Sequence, residues 1–312
     1  MLKPNIILVL KLTVLVLSIS YLVDKVIFYS LNTLSDNVMT GQSIGKLNQF
    51  LTVKDSVDCV VLGNSRANHH IDVSLLNTSA YNMGIDGTGI AYISALTHSL
   101  DKQHNQLVLV HIDTKDFFDL NYNGSDIKTL SAKFNRDKNI TASLKQSGLI
   151  SPLQYFYYTI NYNNKLTGIL KNYFQPSYNY QMYNGFDPLI LSEDQQKIRD
   201  EILLKQENEE CSQLTTINPI ALNYLEHIKE DAEQENKTYI FITSPIYNDT
   251  CPEDNLKLKK LLTEAGLTYW DFSNLFKDLN DTSLWKDETH MSAFGAEQFT
   301  LHLKQKLESI SY

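Results

Sequence analysis

The sequence predicts an α/β protein, a flavodoxin-like three-layer α/β/α sandwich with a parallel sheet, an N-terminal transmembrane helix and a helical insertion. Three observations lead there. Short β-rich runs alternate with helix-period segments, the pattern of a parallel sheet covered on both faces. A chain of 312 residues is long enough for one sizeable core. No internal repeat or low-complexity tract suggests a solenoid.

The elements follow in order. "NIILVLKLTVLVLSISYLV", Asn5 to Val23, is hydrocarbon interrupted only by Lys11, and its length is close to the roughly 20 residues that cross a bilayer as a helix. Residues 1–30 are therefore expected to form a membrane anchor, with Lys11 snorkelling toward the headgroups. Lys3, Lys11 and the amino terminus outweigh the pair Asp24 and Lys25, so the positive-inside rule puts the remainder of the chain in the periplasm or outside the cell. Ser18 and Ser20 before Tyr21 form a weak small-x-small pattern, and a removed signal peptide is the competing reading. Residues 31–55 are mixed and polar and read as a stalk leading into a domain over 56–312.

Within that domain, "VDCVVLG" (57–63), "SAYNMG" (79–84), "QLVLVHID" (106–113), "TYIFITSP" (238–245) and "LTYWDFS" (267–273) read as strands. Helices are expected over "GIAYISALTHSLDK", over "NPIALNYLEHIKEDAEQE" with Pro219 in its first turn, and over "LKLKKLLTEAG", which stops at a glycine. "SAFGAEQFTLHLKQKLESI" closes the chain with Ser292 as its cap. Residues 120–210 break the rhythm with an aromatic- and Asn-rich stretch followed by a charged helix around 192–208, and read as an insertion. Its aromatics fit helix core, or a lid whose rings stack on sugars.

A formal net charge of −9 leaves no basic face, which argues against nucleic acid as a partner. Cys59 lies inside an apolar strand, whereas Cys211 and Cys251 flank polar segments and form a candidate disulfide in an oxidising compartment. Sequons occur at Asn77, Asn123, Asn139, Asn236, Asn248 and Asn280 in an Asn-rich chain.

In an open parallel sheet ligands bind at the carboxyl ends of the strands. Ser65 lies just past the first strand in "CVVLGNSRANHH", after a glycine that permits a sharp turn. It has a nucleophile's position, although a serine there commonly just caps the next helix. Near the other end, "WKDETHMSAFGAEQ" places Asp287 and His290 three residues apart. A serine nucleophile needs a base, and the imidazole needs a carboxylate to fix its tautomer. A solvated polar loop is the alternative.

Taken together, in this order, these segments resemble the SGNH/GDSL hydrolase superfamily. "LGNSR" is similar to the first block, with Ser65 as nucleophile. "YNMGIDGTGI" is similar to the second, through Asn82, Gly84 and Gly87, and "DETHMSAFGAEQF" to the last, with Asp287 and His290. The resemblance implies a Ser-His-Asp triad, with the N–H groups of Ser65 and Gly87 as oxyanion donors. The third block departs: in place of its Gly-x-Asn-Asp the chain reads "HIDTKDFF", where Lys115 is either a substitute charged donor or a solvated surface lysine. A similar departure occurs in the membrane-anchored branch that handles acyl groups on cell-surface glycans. That branch implies a serine esterase or O-acyltransferase acting on an acylated glycan of the cell envelope, with a membrane acyltransferase as a potential partner. The alternative is a non-catalytic glycan-binding or assembly protein on the same fold. No cofactor is called for. His69, His70, His111 and Asp113 near the strand ends lack zinc-site spacing and read as residues supporting the site.

Overall fold

Five strands, β1 (Cys59–Leu62), β2 (Ala80–Asn82), β3 (Gln106–His111), β4 (Lys237–Thr243) and β5 (Thr268–Asp271), pair in the order β2-β1-β3-β4-β5. Every pairing is parallel. The order is the flavodoxin-like one, with its switch point between β1 and β3, where chain crossovers diverge and leave a crevice at the carboxyl ends of the strands. These facts come from a computed structural model that describes residues 4–176, 183–204, 216–234, 237–247, 249, 251–279 and 281–310.

The helices are α1 (Pro4–Asp36), α2 (Lys46–Val53), α3 (Ser65–His70), α4 (Ile90–Thr97), α5 (Lys115–Phe118), α6 (Lys138–Gln146), α7 (Pro152–Phe156) and α8 (Leu166–Phe174). They continue with α9 (Glu193–Leu204), α10 (Pro219–Gln234), α11 (Pro252–Glu264) and α12 (Ala293–Glu308). The chain divides into two compact units, Met1–Asn48 with Leu130–Tyr178, and Gln49–Thr129 with Asn179–Tyr312.

The second unit contains the sheet. A strand buried on both faces must be apolar along its whole length rather than alternating, and β1 is buried at all four positions. Cys59, Val61, Leu109, Ile240 and Ile242 pack with Ala67 and Ile71 of α3 and with Phe299 and Leu303 of α12. The intervening Val60, Leu62, Val108, Val110 and Phe241, also buried, point to the opposite face, where α10 packs on β4 and against α4. Ser292 caps α12 by accepting the Gly295 N–H at 3.1 Å, and Pro219 opens α10. Cys59 is a buried free thiol, its pKa pushed up to about 12 by burial.

In the first unit α1 is longer than the expected anchor. It runs unbroken through residues 18–21 to Asp36, and Phe28 packs in a small core with Val38, Ile44, Ala132, Tyr162 and Ile169. Residues 31–55, expected as a stalk, are mostly helical through α1 and α2, because one face is buried instead of solvated. The expected insertion over 120–210 is also divided. Residues 130–178 cluster with α1, while the flanks belong to the sheet unit. Of its aromatics, Tyr162 lies in the core of the first unit, where Tyr158 stands edge-on to Phe28 at 5.1 Å, whereas Phe186 packs in the core of the sheet unit. Cys211 and the sequons at Asn236, Asn248 and Asn280 lie outside the described residues; Cys251 is disulfide-bonded.

Leu109, at the centre of β3, has no exposed surface. Leu109→Ala is expected to lower the unfolding free energy by about 2–5 kcal/mol. Ile198→Ala, at a 58% exposed position of α9, should stay within about 0.5 kcal/mol of the parent. Denaturant titration of the detergent-solubilised chain measures both.

Candidate active site

The site is assembled from the turn after β1, the turn after β2 and the loop before α12. Gly63 ends β1 with φ +153°, and a Cβ there would lie 2.7 Å from the Ala67 Cβ and 2.9 Å from the His111 carbonyl oxygen. Only glycine lets the chain turn so closely past its neighbours. Asn64 then caps α3, accepting the Arg66 N–H at 2.9 Å, and its amide donates to Asp113 at 2.7 Å. Ser65 is thereby fixed as the first residue of the helix.

Helix α3 is polar yet buried, so each of its polar groups needs a partner. The Arg66 guanidinium binds the Asp113 carboxylate and the Ser244 carbonyl, and reaches the Pro245 carbonyl at 3.3 Å. Burial would raise the Asp113 pKa, but the neighbouring Arg66 guanidinium and the Asn64 amide bring it below the ordinary carboxylate range. Asn82 from β2 donates to the carbonyls of Ala67 at 2.7 Å and Ile71 at 2.8 Å, and accepts the Gly84 N–H at 2.9 Å. The asparagine of the second block therefore holds α3 in place.

The loop before α12 is shaped by its own carboxylate. Asp287 Oδ1 accepts the backbone N–H groups of Thr289 at 3.0 Å and His290 at 2.8 Å, and faces His290 Nδ1 at 3.0 Å. Capping its own turn is what lets a carboxylate three residues upstream meet the ring. Burial opposes ionisation of Asp287, yet the bonds from His290 and Lys286 hold its pKa far below normal. The other ring nitrogen, Nε2, lies 2.9 Å from Ser65 Oγ. Ser65, His290 and Asp287, 225 residues apart at the longest link, thus form one hydrogen-bonded chain.

Three further histidines surround it, and their partners dictate their protonation. His70 Nε2 faces the Met291 N–H at 3.0 Å, so it accepts, and Nδ1 must carry the proton that goes to Ser244 Oγ at 2.8 Å. His111 Nε2 faces both the Ser244 N–H at 3.2 Å and its hydroxyl at 2.9 Å. Both rings are neutral: burial depresses the His70 pKa well below normal and takes His111 to about 3. His69 is the opposite case. Its Nδ1 faces the Asp187 carbonyl at 2.6 Å and its Nε2 the Asp86 carboxylate at 3.1 Å. Burial lowers its pKa, but the bonds to Asp86 and Asp187 raise it above normal, and the Asn68 amide also lies 3.4 Å from Nε2. Its centroid lies 5.8 Å from that of His290.

Of the expected oxyanion residues, Gly87 lies on the exposed turn after β2 with φ +71°, and open space where a Cβ would be. Lys115 is exposed in the first turn of α5. Among the described residues no group of three or more His, Cys, Asp and Glu could hold a metal ion. Sequence reasoning missed Asn64, Arg66, Asp86 and Ser244; the one available signal was the crowding of polar residues, "NSRANHH", immediately after an apolar strand.

No family model and no curated protein matches the chain. A solved structure from Streptococcus pneumonia, provisionally named a platelet activating factor, is 12% identical. It matches with a TM-score of 0.29 over 85% of this chain and 92% of its own, a likeness too weak to assign function.

The buried histidines set an acid limit. In the unfolded chain His70 and His111 take up protons below about 6.5, which the native rings exclude, His111 down to about 3. Stability therefore falls as pH drops through that window. His69, with its raised value, has the opposite sign: its contribution is complete below 6.5 and lost as pH rises through its folded pKa. Two depressed rings outweigh one raised ring, so melting temperature is expected to fall on acidification. The fall should be shallower in His111→Gln, as differential scanning fluorimetry at stepped pH would measure.

Proposed function

We propose that the chain is an SGNH-type serine esterase or O-acyltransferase acting on acyl esters of cell-envelope polysaccharide, held at the membrane by α1. The observation that carries this reading is the bond of 2.9 Å between Ser65 Oγ and His290 Nε2, with Asp287 on the opposite nitrogen. The arrangement sits at the switch point of the sheet, where open α/β folds bind their ligands.

In this reading Ser65 Oγ attacks the ester carbonyl while His290 Nε2 takes its proton, and Asp287 holds the ring with Nδ1–H turned inward. The backbone N–H groups of Ser65 and Gly87 receive the oxyanion, each such donor being worth about 2.7–4 kcal/mol in the transition state. The tetrahedral intermediate then collapses to the acyl-serine as His290 returns the proton to the departing alkoxide. Water or a sugar hydroxyl, deprotonated by the same ring, completes hydrolysis or transfer.

An uncleaved anchor is supported by α1 itself. The helix continues past the Ser18-x-Ser20 pattern, and Asp24, Phe28 and Ser35 are buried within the first unit. Asn5–Asp36 is long and apolar enough to cross a membrane, and by the distribution of Lys3 and Lys11 the sheet unit lies on the periplasmic or extracellular side.

Fluorophosphonate labelling and p-nitrophenyl acetate turnover test the assignment. Ser65→Ala is expected to abolish both, and Asp287→Asn to lower turnover by about 10⁴-fold, the loss seen when a triad carboxylate is replaced by its amide. Wild-type protein that binds acylated glycan but neither labels nor turns over would instead identify a binding module. Mass analysis of products from an acetylated glycan, with and without an added acceptor glycan, separates esterase from transferase.

A further inference from the structure

We propose that α6, α7 and α8 form a basic, aromatic collar that rests on an anionic lipid surface where α1 leaves the bilayer. The inference rests on the reading of α1 as an uncleaved anchor. It begins with an apparent interruption of that helix: Asp24 and Lys25 would end the apolar run if they faced lipid. They do not. Asp24 is only 5% exposed and accepts the N–H groups of Tyr158 at 2.8 Å and Thr159 at 3.0 Å. Lys25 donates to Asp24 at 2.9 Å and to the Phe156 carbonyl at 2.6 Å, with its Nζ 3.4 Å from the centroid of the Tyr158 ring. Both charges are used up inside the first unit, and the outward residues Val26, Ile27 and Tyr29 continue the exposed apolar surface.

The apolar surface thus extends to Tyr29. Residues 5–29, at 1.5 Å per residue, span roughly 37 Å, more than the roughly 30 Å of hydrocarbon, so the upper turns reach the headgroup layer. Helix α7 is attached just beneath that layer, about 24 Å along α1 from Asn5, with Phe156 packed on Tyr21 at 4.9 Å and Leu153, Tyr155 and Phe156 all exposed. An open groove of about 420 Å³ lies between α7 and α1, lined by Val14, Leu17, Ser18, Tyr21, Leu22 and Phe156, and has the shape and polarity for a lipid acyl chain. Helix α8 buries Ile169 and exposes Leu166, Leu170, Tyr173 and Phe174.

Charge points to the same occupant. Without Lys3 and Lys11, which lie toward the other end of α1, the first unit has eight Lys and Arg against three Asp and Glu, a formal +5, in a chain whose total is −9. Lys138 and Lys145 of α6 and Lys171 of α8 are exposed, with Lys145 Nζ 5.9 Å from the Tyr155 centroid. Cations interleaved with aromatics on a solvent face match the headgroup layer of an anionic bilayer.

The test uses the full chain in phosphatidylcholine vesicles with or without phosphatidylglycerol. Leu12→Cys, Leu153→Cys and Phe174→Cys are each labelled with an environment-sensitive fluorophore and challenged with lipids spin-labelled at the headgroup or deep in the acyl chain. The expected result is deep quenching at 12. Positions 153 and 174 should show a blue shift and loss of most emission to the headgroup label, stronger with phosphatidylglycerol and weakened by Lys138→Gln, Lys145→Gln and Lys171→Gln together. If position 12 is quenched and 153 and 174 are not, the collar is overturned while the anchor stands. If 153 and 174 are blue-shifted but unquenched, protein covers them and the collar is likewise overturned. Should no position be quenched, the anchor reading itself fails.

Discussion

The site depends on one ring that catalyses nothing in the proposed reaction. His70 ends the short helix that begins at Ser65, and its Nε2 accepts the N–H of Met291, the residue after His290. Its Nδ1 reaches Ser244, just beyond β4, and Ser244 in turn meets His111 at the end of β3. A single neutral imidazole thus ties the turn after β1, the end of β4 and the loop before α12 to each other. The same bonds make it intolerant of a second proton: an imidazolium would put N–H against N–H at Met291. The close approach of Ser65 and His290 is therefore conditional on the protonation state of a residue hydrogen-bonded to neither side chain.

That tie acts on a helix already constrained from below. Asn82 occupies two carbonyls of α3 and Gly63 allows the sharp turn into it, so Ser65 has little freedom to withdraw from the ring. Asp287 does the corresponding work on the other side, capping its own turn before orienting His290. The two halves are each locally rigid, and His70 sets the distance between them. Pre-organisation of this kind is what a reaction needing a near-attack geometry requires.

What the sequence revealed follows from range. The strands were legible because a doubly covered parallel sheet leaves runs such as "CVVL", all buried. Pro219 and Ser292 announced helix starts through interactions within one turn. Asp287 and His290 could be read as a pair because their contact is closed locally. By contrast, His69, His70, Arg66 and Ser244 derive their roles from partners tens to hundreds of residues away, and spacing contains no trace of those. The helical character of 31–36 was hidden for the same reason: the face that makes it non-solvated is supplied by residues near 130–170, where Ser35 meets Tyr162 at 3.1 Å.

Adjacent histidines in α3 show how far environment overrides residue type. Asp86 and Asp187 raise the pKa of His69 against the effect of burial, while His70, one position on, is buried without a carboxylate and stays neutral. Their ring centroids lie 5.8 Å and 6.2 Å from that of His290. One neighbour therefore faces two acidic residues and the other is a strut with no charge, leaving His290 as the ring that faces Ser65. In the proposed chemistry that division is useful, because a titrating strut would loosen the site whenever it charged. Three rings of the same residue type are thus distinguished only by what each nitrogen faces.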